Sequence, residues 1–125
     1  MKFMLLMIPN VYRNNKQMDT FVPPADMVEK MNRYNNELLK ARLLESMDEV
    51  NGLHPLTKGA RVVFNGGKST VTDGPMIETK EVLGGYWFIT AKSKEEVVKW
   101  VERCPAQDGD IIEIRPIFEP ADFEK

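Results

Sequence analysis

Two short segments of the chain are apolar on both of their alternating sets of side chains. Residues 2–8 read KFMLLMI and residues 86–91 read YWFITA. Because side chains alternate between the two faces of a β-strand, each segment predicts a strand that is covered on both faces. Helices on one face of such a sheet leave the other face open, and exposed apolar patches of that size mark interfaces. A second copy of the same sheet is the simplest cover, so we expect a homodimer.

The remaining patterns fit a single α+β domain over residues 1–125, as the length alone favours. Apolar residues recur at helical spacing in two segments, and Ser93 with Glu96 has the form of a capping box opening the second. Asn65-Gly66-Gly67-Lys68 supplies the positive φ angles of a tight hairpin turn. The predicted elements are strand 2–8, helix 24–42, a short strand near 52–54, strands 61–64 and 69–72, strand 86–91, helix 93–104 and strand 111–117. Without the short strand near 52–54, this order reads β-α-β-β-β-α-β, and it predicts an antiparallel-rich sheet with two helices on one face.

Composition excludes several classes of function. Lysine and arginine number 17 against 19 acidic residues, with no block of like charge, so there is no electrostatic reason to expect nucleic acid or an anionic membrane as a partner. Cys104 is the only cysteine and His54 the only histidine, which places a Cys/His zinc site out of reach within one chain. Gly84-Gly85 is not a phosphate loop, because no Lys-Ser/Thr follows and the next element is a strand. We therefore expect no metal and no cofactor.

The apolar run at residues 3–8 is similar to a truncated signal peptide. It is only six residues long, and Pro9-Asn10 and a polar stretch follow it without a small-residue cleavage site. A secretory signal needs a longer apolar region, and a membrane span needs about 20 such residues. We therefore interpret the run as a buried strand and expect a cytoplasmic protein. A single cysteine fits such a reducing compartment.

One stretch of the sequence resembles a family signature. Residues 71–87, VTDGPMIETKEVLGGYW, resemble the signature of DGPF-type YCII-related proteins. The resemblance extends to MKFMLL at residues 1–6, GLHP at 52–55, RCP at 103–105 and EIRP at 113–116, so it covers nearly the whole chain. Met76 stands where the family usually has phenylalanine, which exchanges one apolar residue for another.

The resemblance implies a ferredoxin-like fold that forms a dimeric α/β barrel, with two sheets facing each other around a pocket. Some YCII-like proteins are enzymes that use a His-Asp pair whose histidine lies early in the chain. This sequence has no histidine before His54, so that pair and its lyase-like activity do not carry over. DGPF-type proteins are often encoded near sigma factors, so the resemblance also implies an alternative role with a transcription-linked partner.

Two residues are candidates for acid–base catalysis. His54 carries the only imidazole, the side chain that titrates near neutrality, and is a candidate general acid or base at the barrel mouth. Asp73 is a candidate catalytic carboxylate and a candidate partner for the second ring nitrogen of that imidazole. Each also has a structural interpretation. His54 beside Pro55 suits a local hydrogen bond, and Asp73-Gly74-Pro75 suits a turn that the aspartate stabilises.

Four further residues are candidates for ligand binding. Glu78, Lys80 and Glu81 lie in a polar run that either orients a small polar molecule at a pocket rim or forms a solvated connection. Arg115 alternates with isoleucines on the last strand and either lines the same cavity or pairs with Glu113. The combined interpretation is a protein that binds a small polar molecule in a pocket at the dimeric barrel, with catalysis left open. The alternative is a non-enzymatic regulatory or interaction protein.

Overall fold

The computed structural model describes residues 1–13, 22–55, 58–73 and 82–123. Its helices and strands are β1 (Lys2–Ile8), α1 (Ala25–Lys40), β2 (Val50–Gly52), β3 (Ala60–Asn65), β4 (Lys68–Asp73), β5 (Gly85–Thr90), α2 (Lys94–Val101) and β6 (Ile111–Pro116). The predicted elements occur in their predicted succession, with the short strand at Val50–Gly52 as a fourth strand between the two helices, and the chain is an α+β protein. Within the described ranges, neither α1 nor α2 is long and apolar enough to cross a membrane.

The strands form two separate antiparallel sheets. The main sheet has the order β2-β5-β1-β6, so β1 lies between β5 and β6. Among the strands that the structure describes, β3 and β4 pair with each other as a hairpin and with no other strand, which differs from the single sheet that the sequence predicted. With the hairpin set aside, the elements follow the β-α-β-β-α-β order of ferredoxin-like motifs. The hairpin is an insertion between the second and third strands of that order.

One face of the main sheet carries the core. Phe3 and Leu5 of β1 lie opposite Ile89 and Trp87 of β5, so these side chains share a face. Both helices contribute to the same core, as predicted. Its buried residues are Phe3, Leu5, Tyr34, Leu38, Leu43, Leu44, Trp87, Ile89, Ala91 and Val97. Full burial of a large apolar side chain stabilises the fold by about 1.5–3 kcal/mol, so this face supplies much of the folding free energy.

Two hydrogen bonds fix α1 against its neighbours. The indole Nε1–H of Trp87 donates to Oδ1 of Asn35 at 2.8 Å, inside the core. The hydroxyl of Tyr34 donates to the backbone carbonyl of Trp100 in α2 at 2.7 Å, and burial raises the pKa of that hydroxyl. The first bond ties the helix to β5 and the second ties it to α2.

Helix α1 ends in a Schellman motif at Arg42. The N–H of Leu43 donates to the carbonyl of Leu38 over an N···O distance of 3.0 Å, and the N–H of Arg42 donates to that of Leu39 at 3.1 Å. Arg42 has a φ of 66°, the left-handed region that glycine adopts most readily. This conformation costs a non-glycine residue about 1–2 kcal/mol. Leu43 then enters the core beside Leu38, which turns the chain back towards the sheet.

Only one of the two hydrogen bonds of the predicted capping box forms at the start of α2. The Oγ of Ser93 accepts from the N–H of Glu96 at 3.2 Å. The Glu96 carboxylate accepts from the N–H of Lys92 at 3.5 Å, one residue before the position that a capping box requires. A complete capping box forms instead at Ser46 and Glu49, at the entrance to β2.

Candidate functional site

The second face of the main sheet is an apolar surface in contact with solvent. Met4 and Leu6 of β1 lie opposite Phe88 and Tyr86 of β5 on this face. Phe88 is 38% exposed, and the other three side chains are half-buried. The Tyr86 and Phe88 rings meet edge to face at 5.4 Å, and the Asn51 side-chain amide donates to the Tyr86 hydroxyl at 3.2 Å. We call this surface, made by Met4, Leu6, Tyr86 and Phe88, the open face.

Charged groups border the open face on the side of β6. Glu113 lies in register with Leu6, and Arg115 lies in register with Met4, so both side chains belong to the same face of the sheet. The Arg115 Nη1 donates to the Glu113 Oε2 at 3.3 Å, and both residues are exposed. An apolar floor with a guanidinium and a carboxylate at its edge can hold a polar molecule once something covers it.

The hairpin β3–β4 is an exposed arm with one apolar face. Every described side chain in it is exposed, including Phe64 at 80%. Val62 lies opposite Val71, and Phe64 lies on the same face two residues further along. The predicted turn is confirmed, because Gly66 and Gly67 have φ angles of 59° and 79°. A two-stranded hairpin is marginally stable by itself in water, so this arm gains from any surface that covers its apolar face.

The predicted catalytic residues lie at the ends of β2 and β4. His54 is exposed, two residues after the end of β2, and the N–H of its neighbour Leu53 donates to the Gly84 carbonyl at 2.9 Å. Asp73 is the last residue of β4 and pairs with Ala60 across the hairpin. The side chain of Asp73 lies outside the described part of the chain, so the His54–Asp73 pair stays a prediction.

The predicted ligand-binding residues divide into two groups. Glu78, Lys80 and Glu81 lie outside the described residues, and their role stays a prediction. Arg115 pairs with Glu113, as one interpretation of the sequence held, and it also points to the same side of the sheet as the open face. The pairing with Glu113 is therefore observed, and the ligand-binding role of Arg115 stays a prediction.

A cleft that the sequence did not reveal lies between the end of α1, the end of β5 and helix α2. It has a volume of about 560 Å³, and its lining includes Arg42, Lys92, Glu96 and Trp100. The sequence carries no signal for this cleft. Its pattern assigns Trp100 to the core, and an arginine at position 42 does not indicate the left-handed conformation that ends α1. Among the described residues, no group of three or more His, Cys, Asp or Glu side chains is placed to hold a metal ion.

An antiparallel four-stranded sheet with two helices on one face and an apolar second face in contact with solvent defines this chain as an α+β domain. The model of the YCII-related domain matches residues 1–121, so the chain belongs to the YCII-related family. This confirms the family that the sequence resembled. No curated protein matches the chain.

Proposed function

We propose that the protein is a homodimer in which two copies of the main sheet face each other, closing an α/β barrel, and that the barrel binds a small polar molecule. The single observation that carries this proposal is the open face. Phe88 at its centre is 38% exposed, although it belongs to an inner strand of the main sheet. Apolar surface at the centre of a sheet is destabilising in water, and burying it gains about 25 cal/mol per Å².

The composition of the open face suits an interface between proteins. Its centre holds aromatic and methionine side chains without charge, and its charged pair, Glu113 and Arg115, lies at one side. Aromatic residues and methionine are enriched in the cores of protein interfaces, while charged groups belong to the rim. In a two-fold arrangement the same patch serves both copies, so no second surface is needed.

The border of the open face supplies the polar groups that a ligand pocket requires. Arg115 has a planar guanidinium that binds carboxylate or phosphate oxygens in two-pronged geometry, and Glu113 holds it in place at 3.3 Å. The Asn51 amide and the Tyr86 hydroxyl, 3.2 Å apart, add uncharged donors and acceptors at the opposite side. His54 stays the predicted acid–base residue of this pocket, with Asp73 as its predicted partner.

The experiment is a measurement of molecular mass with a matched pair of variants. Native mass spectrometry of freshly purified protein should give twice the 14.4 kDa mass of the chain, with any co-purified small molecule retained. Phe88→Glu should give the single-chain mass, because it places a carboxylate at the centre of the interface. Val98→Glu is the control, since Val98 is 39% exposed on α2, and it should remain dimeric.

Two results contradict the proposal. A wild-type protein of single-chain mass at micromolar concentration excludes a stable dimer, because an interface of standard size persists there. That result leaves the open face to a different protein partner, as the regulatory interpretation of the sequence requires. Equal dissociation by Phe88→Glu and Val98→Glu places the interface elsewhere.

A further inference from the structure

The cleft beside α1 and α2 has the features of a second binding site. We propose that it binds a small organic anion, a carboxylate or phosphate attached to an apolar or aromatic group. In this assignment Arg42 and Lys92 bind the anion, and Trp100 contacts the apolar part. The cleft volume of about 560 Å³ lies within the range of small-molecule sites and far exceeds what a bare phosphate ion fills.

Arg42 is the observation that points to a ligand. It occupies the left-handed position of the Schellman motif, where glycine is the common residue, and its exposed side chain makes no hydrogen bond or ion pair with the part of the chain that the structure describes. Cations favour the C-terminal ends of helices, but Lys40 already supplies one in the last turn of α1. The helix ending alone therefore does not account for an arginine in a strained conformation at a cleft edge.

The charges around the cleft favour an anion. Arg42 and Lys92 are the cationic side chains of its lining, and Glu96 is the acidic one. The Glu96 carboxylate already accepts a hydrogen bond from the backbone N–H of Lys92 at 3.5 Å. The side chains of the lining therefore sum to a positive charge in a chain whose formal net charge is −2. Local charge of this kind concentrates anions independently of the net charge of the protein.

Trp100 provides a fixed wall for the apolar part of the ligand. Its backbone carbonyl accepts from the Tyr34 hydroxyl at 2.7 Å, which ties this turn of α2 to α1. The guanidinium of Arg103 lies over the indole ring, 4.3 Å from its centre, and pairs with Glu37 at 2.9 Å. Arg103 is neutralised by Glu37. Within the described part of the chain, the cationic side chains of the cleft that lack an acidic partner are Arg42 and Lys92, and the half-buried indole offers an apolar surface beside them.

The test is an NMR titration of the full-length ¹⁵N-labelled protein with phenyl phosphate. The chain has two tryptophans, and only Trp100 lines the cleft, while the Trp87 indole donates to Asn35 in the core. We expect the indole resonance of Trp100 to shift saturably and that of Trp87 to stay in place. Inorganic phosphate, which has no apolar part, should bind at least about tenfold more weakly. The absence of a saturable shift at Trp100, or equal shifts at both indoles, overturns the proposal.

Three variants distinguish a specific binding site from general electrostatic attraction of the anion to the protein. Arg42→Gly and Lys92→Gln should each weaken phenyl phosphate binding by about tenfold, as expected for a lost charged hydrogen bond. Arg61→Gln is the control, because it removes one positive charge from the exposed hairpin. Glycine suits the φ of 66° at position 42, so loss of binding in Arg42→Gly does not arise from misfolding. Equal weakening by all three variants, or unchanged binding in Arg42→Gly, overturns the proposal.

This inference is independent of the dimer. The described lining of the cleft belongs to one chain, so Phe88→Glu should keep the affinity for phenyl phosphate even where it abolishes the dimer. Failure of the dimer proposal and failure of the cleft proposal therefore give different results. If Phe88→Glu stays folded but loses phenyl phosphate binding, the assignment of the site to one chain is wrong.

Discussion

The surroundings of a single residue can change its pKa in a way that the sequence pattern does not show. Cys104 is an example, because it follows α2 and packs partly buried against the core. Burial raises the pKa of its thiol to about 12, and the carboxylate of Asp110 adds to the shift. The raised pKa keeps the thiol protonated at neutral pH, and the thiolate is the form that acts as nucleophile.

The raised pKa of Cys104 predicts a direction for stability against pH. The unfolded chain ionises this thiol near its ordinary value of 9.0, whereas the folded protein holds its proton to about 12. The contribution of the thiol to stability is therefore fully present below pH 9 and is lost as the pH rises towards 12. Urea denaturation of the wild type and of Cys104→Ala across this range measures it, and the difference in stability between them should shrink with rising pH. A difference that stays constant, or fast alkylation of the native thiol at pH 8, contradicts the prediction.

At the scale of the elements, Gly84, which directly precedes β5, packs against the loop that follows β1. The N–H of Gly84 donates to the Met7 carbonyl at 2.8 Å, and its own carbonyl accepts from the N–H of Leu53 at 2.9 Å. A Cβ atom at this position would lie 2.5 Å from Cγ of Pro9, whose ring cannot rotate away. Glycine is therefore required here by close packing rather than by an unusual backbone angle.

Gly84→Ala should destabilise the protein by about 1–3 kcal/mol, as overpacking of a tight site does. Gly52→Ala is the matched control, because a Cβ there meets its nearest atom, the Gly84 carbonyl oxygen, at an ordinary 3.9 Å. Urea denaturation of both variants checks the prediction. Similar midpoints for the two variants would show that Pro9 moves aside at little cost.

The sequence predicted the helices and strands better than it predicted which strands share a sheet. Strands β1 and β5 were recognisable from apolar residues on both faces, and the hairpin turn from its glycines, because these signals are local. The separation of β3–β4 from the main sheet was not predictable, since an alternating strand reads alike whether it joins a sheet or stands alone. The cleft was not predictable either, because it depends on how the end of α1 and the start of α2 meet. The predicted residues 78–81 lie outside the described structure, so that part of the site stays a prediction.

At the scale of the whole molecule, the open face and the hairpin are both apolar surfaces that a stable fold normally buries. Each presents apolar side chains to solvent, with Phe88 at 38% and Phe64 at 80% exposure, and neither is covered by the core that the two helices build. Large apolar patches are uncommon on proteins that function as single chains. In the proposed dimer, a second copy covers the open face and links folding to association, so that stability would depend on protein concentration.

This linkage predicts a thermal midpoint that rises with concentration. A tenfold increase in protein adds about 1.4 kcal/mol to the stability of a dimer that unfolds directly to single chains. For two chains of this length, the midpoint should rise by about 3 °C. Phe88→Glu should melt at a concentration-independent midpoint, because the copies no longer associate through the open face, whereas Val98→Glu should keep the wild-type dependence. Calorimetry at several concentrations makes the measurement. A wild-type midpoint that does not change with concentration excludes coupling between folding and association, and the open face would then have to be stable in water without a second copy.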